Sequence, residues 1–230
     1  MFISQQINAV TKNITEALFR RSQSGYETSQ VKLVAVTKNH GIEAMREAID
    51  SGISSIGENR IQEAVKKKSL LNRDVEWHLI GHLQTNKVRQ AVTAFDVIHS
   101  VDSEKLAVEI SRVAGTYGKV QDVLLQVNIG AESTKFGIAP GHLYKFAAFC
   151  GNLEFIRICG IMAIAPYFED AEKVRPLFRE LYHLFCESRQ QRLPNGAVEW
   201  LSMGMTNDYT IAIEEGSNLI RIGTGIFGSR

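Results

Sequence analysis

The chain is poor in the residues that mark the simplest functional classes. Only three cysteines, Cys150, Cys159 and Cys186, occur in 230 residues. An odd number without CxxC spacing argues against a disulfide framework or a cysteine-rich zinc site, and predicts reduced thiols in a cytoplasmic protein. No apolar run approaches the ~18 residues of a membrane span, and the N-terminus carries no charged-then-apolar leader. Neither sign of charge predominates, with 26 Lys and Arg against 25 Asp and Glu and a net charge of +1. That balance gives no overall drive toward nucleic acid or anionic membranes. The basic run Lys66-Lys67-Lys68 is too short to alter this and predicts a solvated helix face. P-loop and HExxH patterns are missing, and Ser202 lacks a GxSxG frame. His78 and His82 sit in a strand-then-turn context rather than on one helical face, so no metal centre is expected. Without a Pro-, Gly- or Ser-rich linker, residues 1–230 read as a single domain.

What the chain does have is a regular alternation of two periods. Ile3, Ile7, Val10, Ile14 and Leu18 recur at helical spacing, so residues 3 to 21 form an amphipathic helix, and residues 1–24 pack against the rest. Strand-like runs follow at Lys32–Val36, Gly52–Ile56, Glu76–Ile80, Val97–Ser100, Val123–Asn128, Ile156–Ile161, Val198–Leu201 and Leu219–Ile222. Helical patterns separate them at Ile42–Ser51, Arg60–Leu71, Thr85–Thr93, Ser103–Tyr117, Gly141–Cys150, Asp170–Arg192 and Asn207–Glu215. Ser103 and Asn207 are placed to cap two of these helices, and Gly216 to end the last. Connections long enough for a helix imply parallel strands, and eight parallel strands most readily close into a (β/α)8 TIM-type barrel. An open doubly wound sheet is the alternative.

In such a barrel the chemistry gathers where strands end and helices begin. Lys38 shares strand parity with Val34 and Val36, at the end of LVAVTK. Partial burial there would disfavour the ammonium form and make the amine nucleophilic toward a carbonyl; a surface lysine leaning outward is the alternative. Arg221 alternates with Ile220 and Ile222 in the final strand, where a guanidinium needs either a buried carboxylate or a ligand. Gly223-Thr224-Gly225-Ile226-Phe227-Gly228 matches GxGxxG formally, but no strand follows it and no acidic residue lies ~20 positions on. As a phosphate cup after the last strand it is well placed, using amides of Gly223 and Thr224 and the Thr224 hydroxyl. Ser202 could add a hydroxyl, and Met203 and Gly204 amides. One amine and one anion loop on the same rim suggest a phosphorylated aldehyde, held by Lys38 as a Schiff base.

The motifs LVAVTK, IGENRIQEA, WHLIGHLQTNK, GIMAIAP and LSMGMTNDYTIAIEEGSNLIRIGTGIFG resemble together the pyridoxal phosphate homeostasis proteins, the YggS/PROSC family, from about Val31 onward. The resemblance implies a single barrel like the N-terminal domain of alanine racemase, of the fold type III kind, with pyridoxal 5'-phosphate (PLP) bound covalently to Lys38. It implies that Asn59 lies near the cofactor, that Ser202, Gly223 and Thr224 contact the phosphate, and that Arg221 faces the pyridine nitrogen. It also implies a carrier or regulator of PLP supply, affecting amino-acid and keto-acid balance; the missing second domain favours a monomer, and the expected partners are PLP and, transiently, PLP-dependent apo-enzymes. Departures from the family pattern fall at Arg60, His82 and Ser133–Ile138. A dedicated catalyst is not expected, because a racemase of this type takes a second base from a further domain and only nine residues follow Arg221. The alternatives are a PLP-dependent amino-acid racemase using His82 or Tyr209 as acid or base, and a phosphosugar enzyme without PLP.

Overall fold

Short apolar runs joined by helix-length connections can pair only side by side and in parallel, since each connection carries the chain back across the sheet. The computed structural model describes residues 2–24, 26, 30–130 and 136–228. It contains α1 Phe2–Gln23, β1 Lys32–Val36, α2 Ile42–Asp50, β2 Ser55–Glu58, α3 Ile61–Leu71 and β3 Glu76–Leu79. There follow α4 Val88–Ala94, β4 Val97–Val101, α5 Glu104–Thr116, β5 Gln121–Val127, α6 Leu143–Gly151 and β6 Ile156–Ala163. The chain ends with α7 Arg175–Arg189, β7 Gly196–Ser202, α8 Tyr209–Glu214, β8 Leu219–Ile222 and α9 Thr224–Phe227. The eight strands close in sequence order, β1 pairing with both β2 and β8, and every pairing is parallel.

Local chemistry accounts for the places where the elements differ from the sequence pattern. β2 starts at Ser55 rather than Gly52, because Gly52 takes a left-handed φ of 99° and Ile53 donates to Ala48 O, closing the end of α2. The predicted Asp170 helix opens with a tighter turn, Ala171–Val174, capped by the Asp170 carboxylate on Glu172 N–H at 3.1 Å. Ser103 caps α5 as expected, accepting from Leu106 N–H at 3.4 Å. Asn207 does not cap α8. That position falls to Asp208, whose carboxylate turns back to accept from Met205 N–H at 2.6 Å.

Strand parity divides the core into two. Outward residues such as Ala35, Ile56, Leu79, Ile98, Leu125 and Ile220 pack under the helices in one large cluster. Inside the barrel only Val97, Leu124 and Met162 form an apolar knot, with Cys159 and Trp200 against it. Val34, Val36 and Leu219 share the inward parity, and buried polar side chains such as His78, His99, Ser202 and Arg221 lie among them.

β8 is followed by the four residues of α9 instead of a full helix. α1 fills the vacant place on the outer ring, packing between α8 and α2 and against α9. Its stripe of Ile3, Ile7, Val10 and Ala17 is buried, as the helical spacing requires. Asn13 donates to the Tyr209 hydroxyl at 2.9 Å and buried Arg21 donates to Ser217 O at 3.0 Å, fixing the helix to α8 and the turn after it. Ile7→Ala is expected to lower unfolding free energy by about 2–5 kcal/mol, the cost of an emptied isoleucine site. Urea denaturation checks this; a loss under ~0.5 kcal/mol, typical of surface positions, would mean α1 is an ornament rather than part of the ring.

Candidate functional site

The C-terminal strand ends open on one rim, and there a cavity of about 400 Å³ lies between the ends of β1, β2, β6 and β8 and the segment before α8. Lys38, Asn59, Arg221, Gly223 and Thr224 all line it. Five of the seven expected site residues are thus brought together from turns after β1 and β2, from β8 and from the loop that follows it. Val36, Ile80 and Ile164 supply apolar walls, and Tyr167, Thr206 and Asp208 polar ones.

Ser202 and Met203 are not at the cavity. Both are fully buried behind it. The Ser202 hydroxyl accepts from Arg221 Nη1 and lies 3.3 Å from His99 Nδ1, and Met203 N–H is spent on Leu219 O at 3.2 Å. The parity of β7 turns the serine into the barrel, and the β7–β8 connection uses the Met203 amide, so neither lines the cavity where a phosphate was expected to meet them. Lys38 also differs from expectation, being exposed at the mouth instead of half-buried.

The turn that carries Lys38 is held from below. Thr37 Oγ1 donates to Glu58 Oε1 at 2.6 Å. Lys67 Nζ donates to Thr37 O at 2.7 Å, Glu58 Oε1 at 2.7 Å and Glu63 Oε1 at 2.6 Å. Asn39, at φ 61°, donates its N–H to Glu63 at 2.5 Å. Lys67 is therefore no part of a solvated face. It lies on the α3 stripe of Ile61, Ala64 and Leu71, and its alkyl stem carries the ammonium to Glu58, which is fully buried. Burial pushes the Glu58 carboxyl up, against the pull of Lys67 and Thr37. Burial works the same way on Glu63, yet its bonds from Lys67 and Asn39 hold it below the usual carboxylate range. The difference follows enclosure, because Glu63 stays partly open to water.

Asn59 is placed by a close backbone approach. A Cβ at residue 81 would stand 2.3 Å from Asn59 O, so only glycine lets the β3 end pass the β2 end here.

Arg221 is 3 % exposed and has no carboxylate in hydrogen-bonding contact among the described residues. Its guanidinium donates to Ser202 Oγ and to Ala163 O, the latter at 2.8 Å. Burial brings its pKa down to about 10, with Asp208 opposing, so it remains a cation at neutral pH. Asp208 is pushed up by burial, opposed by the Met205 amide and by Arg221. Two of the five guanidinium N–H groups are accounted for by these bonds, leaving donors on a cavity wall.

His82 and Tyr209, the residues considered as acid or base, lie elsewhere. His82 lines a separate cavity with Gln84 and Asp102 and stacks on Phe136 at 3.6 Å between ring centroids. Tyr209 is buried against α1 through Asn13. Ser133–Lys135, within the divergent segment, fall outside the described residues. Sequence reasoning missed the buried pair His78–His99 and the role of Lys67. The signal was available in part: Glu76 and His78 share one parity in β3, and Lys67 shares a helical stripe with three apolar residues. Among the described residues no group of three or more His, Cys, Asp or Glu is arranged to hold a metal, and no helix is long and apolar enough to cross a membrane.

Comparison with known proteins places this geometry. Residues 8–230 match the family of the alanine racemase N-terminal domain. The pyridoxal phosphate homeostasis protein of Aquifex aeolicus is 41 % identical over 227 residues, covering 98 % of this chain and 97 % of the relative. PipY of Synechococcus elongatus, solved without PLP, is 38 % identical with a TM-score of 0.85, covering 98 % of this chain and all of that one. PipY has also been solved with PLP bound. An alanine racemase of Clostridium difficile shares the fold at 13 % identity and a TM-score of 0.71, over 95 % of this chain and 60 % of its own. With a closed eight-stranded barrel, a family match over nearly its whole length and full-length relatives of one name, the chain belongs to the pyridoxal phosphate homeostasis proteins, built on the alanine racemase N-terminal domain.

Proposed function

We propose that this protein binds PLP and acts as a carrier or regulator in intracellular PLP homeostasis, with effects on amino-acid and keto-acid balance. The observation that carries the reading is the convergence of one primary amine, one buried guanidinium and one glycine-bounded loop on a single cavity. Its volume, about 400 Å³, suits a small cofactor. Lys38 is the only amine among the described lining residues, and condensation of its Nζ with the aldehyde, releasing water, forms the Schiff base. Gly223 and Thr224 hold the phosphate: Thr224 opens α9, so its N–H has no carbonyl one turn back to bond. Arg221 donates to the pyridine nitrogen and Asn59 lies beside the ring. When bound, PLP supplies an electron-withdrawing ring, which an arginine partner weakens because the ring nitrogen stays unprotonated.

A dedicated activity is not proposed. A racemase needs an acid or base on each face of the bound substrate, and neither His82 nor Tyr209 reaches the cavity. The protein acts as a monomer in the cytoplasm and meets PLP-dependent apo-enzymes transiently. Borohydride reduction of the yellow protein followed by peptide mapping is expected to trap the cofactor on residue 38; a reduced adduct elsewhere would overturn the assignment. Incubation in heavy water separates the racemase reading: Lys38-dependent deuterium exchange at amino-acid α-carbons, with turnover, would displace the carrier.

A further inference from the structure

Apart from its small apolar knot, the barrel interior is threaded by one continuous polar chain. At the N-terminal rim Lys32 Nζ and Ser55 Oγ donate to Glu76 Oε2 at 2.8 and 3.0 Å. His78 Nε2 meets the same oxygen at 2.9 Å, and His78 Nδ1 meets His99 Nε2 at 2.8 Å. His99 Nδ1 lies 3.3 Å from Ser202 Oγ, which accepts from Arg221 at the cavity. His78, His99 and Ser202 are at most 1 % exposed, so no bulk water competes for these bonds.

The two ends of the chain fix every hydrogen between them. Arginine can only donate and an ionised carboxylate can only accept. Glu76, bonded by His78 and Lys32, is held well below the usual carboxylate range even though burial opposes it. His78 Nε2 therefore carries a hydrogen and donates to Glu76. At the other end the Ser202 oxygen already accepts from Arg221, so the serine hydrogen goes to His99 Nδ1, and His99 donates through Nε2 to His78 Nδ1. Burial, the largest influence on it, holds His99 well below the usual imidazole range, so it stays neutral as this arrangement requires. Reversing the chain would place two donors on the Ser202 oxygen and leave its own hydrogen without an acceptor among the described residues. Hence all the hydrogens point from Arg221 to Glu76.

We propose that His99 and His78 are positioning residues for Arg221, and that the carboxylate of Glu76 at the opposite rim sets the hydrogen bond Arg221 gives to a ligand in the cavity. Bonds in such a chain polarise one another. Donation of the Ser202 hydrogen to His99 makes the serine oxygen a better acceptor, which holds one edge of the guanidinium inside the barrel and turns its remaining N–H groups to the cavity. The proposal rests on the reading that Arg221 faces the ring nitrogen of bound PLP.

The test loads the protein with PLP labelled with ¹⁵N in the ring and compares the parent with Glu76→Gln, His99→Leu and Arg221→Gln. Glu76 is half-buried on the far rim, so its amide replacement fits, and it touches no residue of the cavity. Borohydride trapping on Lys38 confirms loading in each case. Expected are a displaced ring-nitrogen resonance in all three, smallest for Glu76→Gln. For His99→Leu, PLP retention should weaken roughly ten-fold, the scale of one hydrogen bond to a charged group. If Arg221→Gln moves the resonance while both Glu76→Gln and His99→Leu leave it at the parent position, the relay is wrong and Arg221 acts alone. If Arg221→Gln leaves it unmoved, the cofactor orientation has failed and the relay falls with it.

Discussion

A Lys38→Ala variant is expected to purify without the visible imine absorption of the parent, and borohydride is expected to fix no PLP on it. The reason is stoichiometric as well as geometric. An imine needs a primary amine, and no other described residue lining the cavity carries one. Of the neighbouring amines, Lys32 is paired with Glu76, and Lys67 is committed to Glu58, Glu63 and Thr37 O beneath the turn. Arg221, Gly223 and Thr224 remain in the variant, so PLP still binds as the free aldehyde, more weakly and without the yellow chromophore. Absorption spectra at equal protein concentration, with cofactor content measured after alkaline release, check both halves of the expectation. Colour and cofactor content equal to the parent would end the Lys38 assignment.

Lys67→Met should be the most destabilising single change near the site. It removes the only cation bonded to Glu58 among the described residues, and Glu58 is a carboxylate with no exposed surface. Breaking a buried pair from one side costs about 3–5 kcal/mol, because the remaining charge is stranded in a poorly solvating interior. The second change, Glu58→Gln in the Lys67→Met background, should recover much of that loss, since a neutral amide does not demand a counter-ion. A double-mutant cycle by urea denaturation separates the pair from its surroundings. PLP retention should fall with the single change as well, because Thr37 O loses its donor and Glu63 loses the ammonium that steadies its bond to Asn39 N–H. A single-variant loss below ~1 kcal/mol, the range of exposed ion pairs, would mean that the pair is solvated in practice and does not anchor the Lys38 turn.

Much of the architecture could be read from the chain. Strand and helix alternation gave the parallel barrel, Ser103 gave the start of α5, and the polar residues at strand ends gave five of the cavity's walls. Where the reading failed, the competing influence can be named. Lys66 to Lys68 were judged by composition, although the period of α3 puts the middle lysine in line with Ile61, Ala64 and Leu71. The sequence did not reveal the partners of Ser202, because the pleat sends it inward to Arg221 and His99. The exposure of Lys38 follows from its place beyond the last residue of β1, where strand parity no longer controls direction.

By itself the sequence determined the number and kind of elements, their parallel arrangement and the rim on which an amine, a guanidinium and a glycine loop would gather. These depend on local periods and on connection lengths, which a single chain carries in full. Only the tertiary structure decided that His78 meets His99, that Ser202 serves Arg221 from behind, and that α1 completes the helical ring after a curtailed β8 unit. Such contacts depend on the register between neighbouring strands, and in a closed barrel that register is set jointly by all eight, so no one segment encodes it.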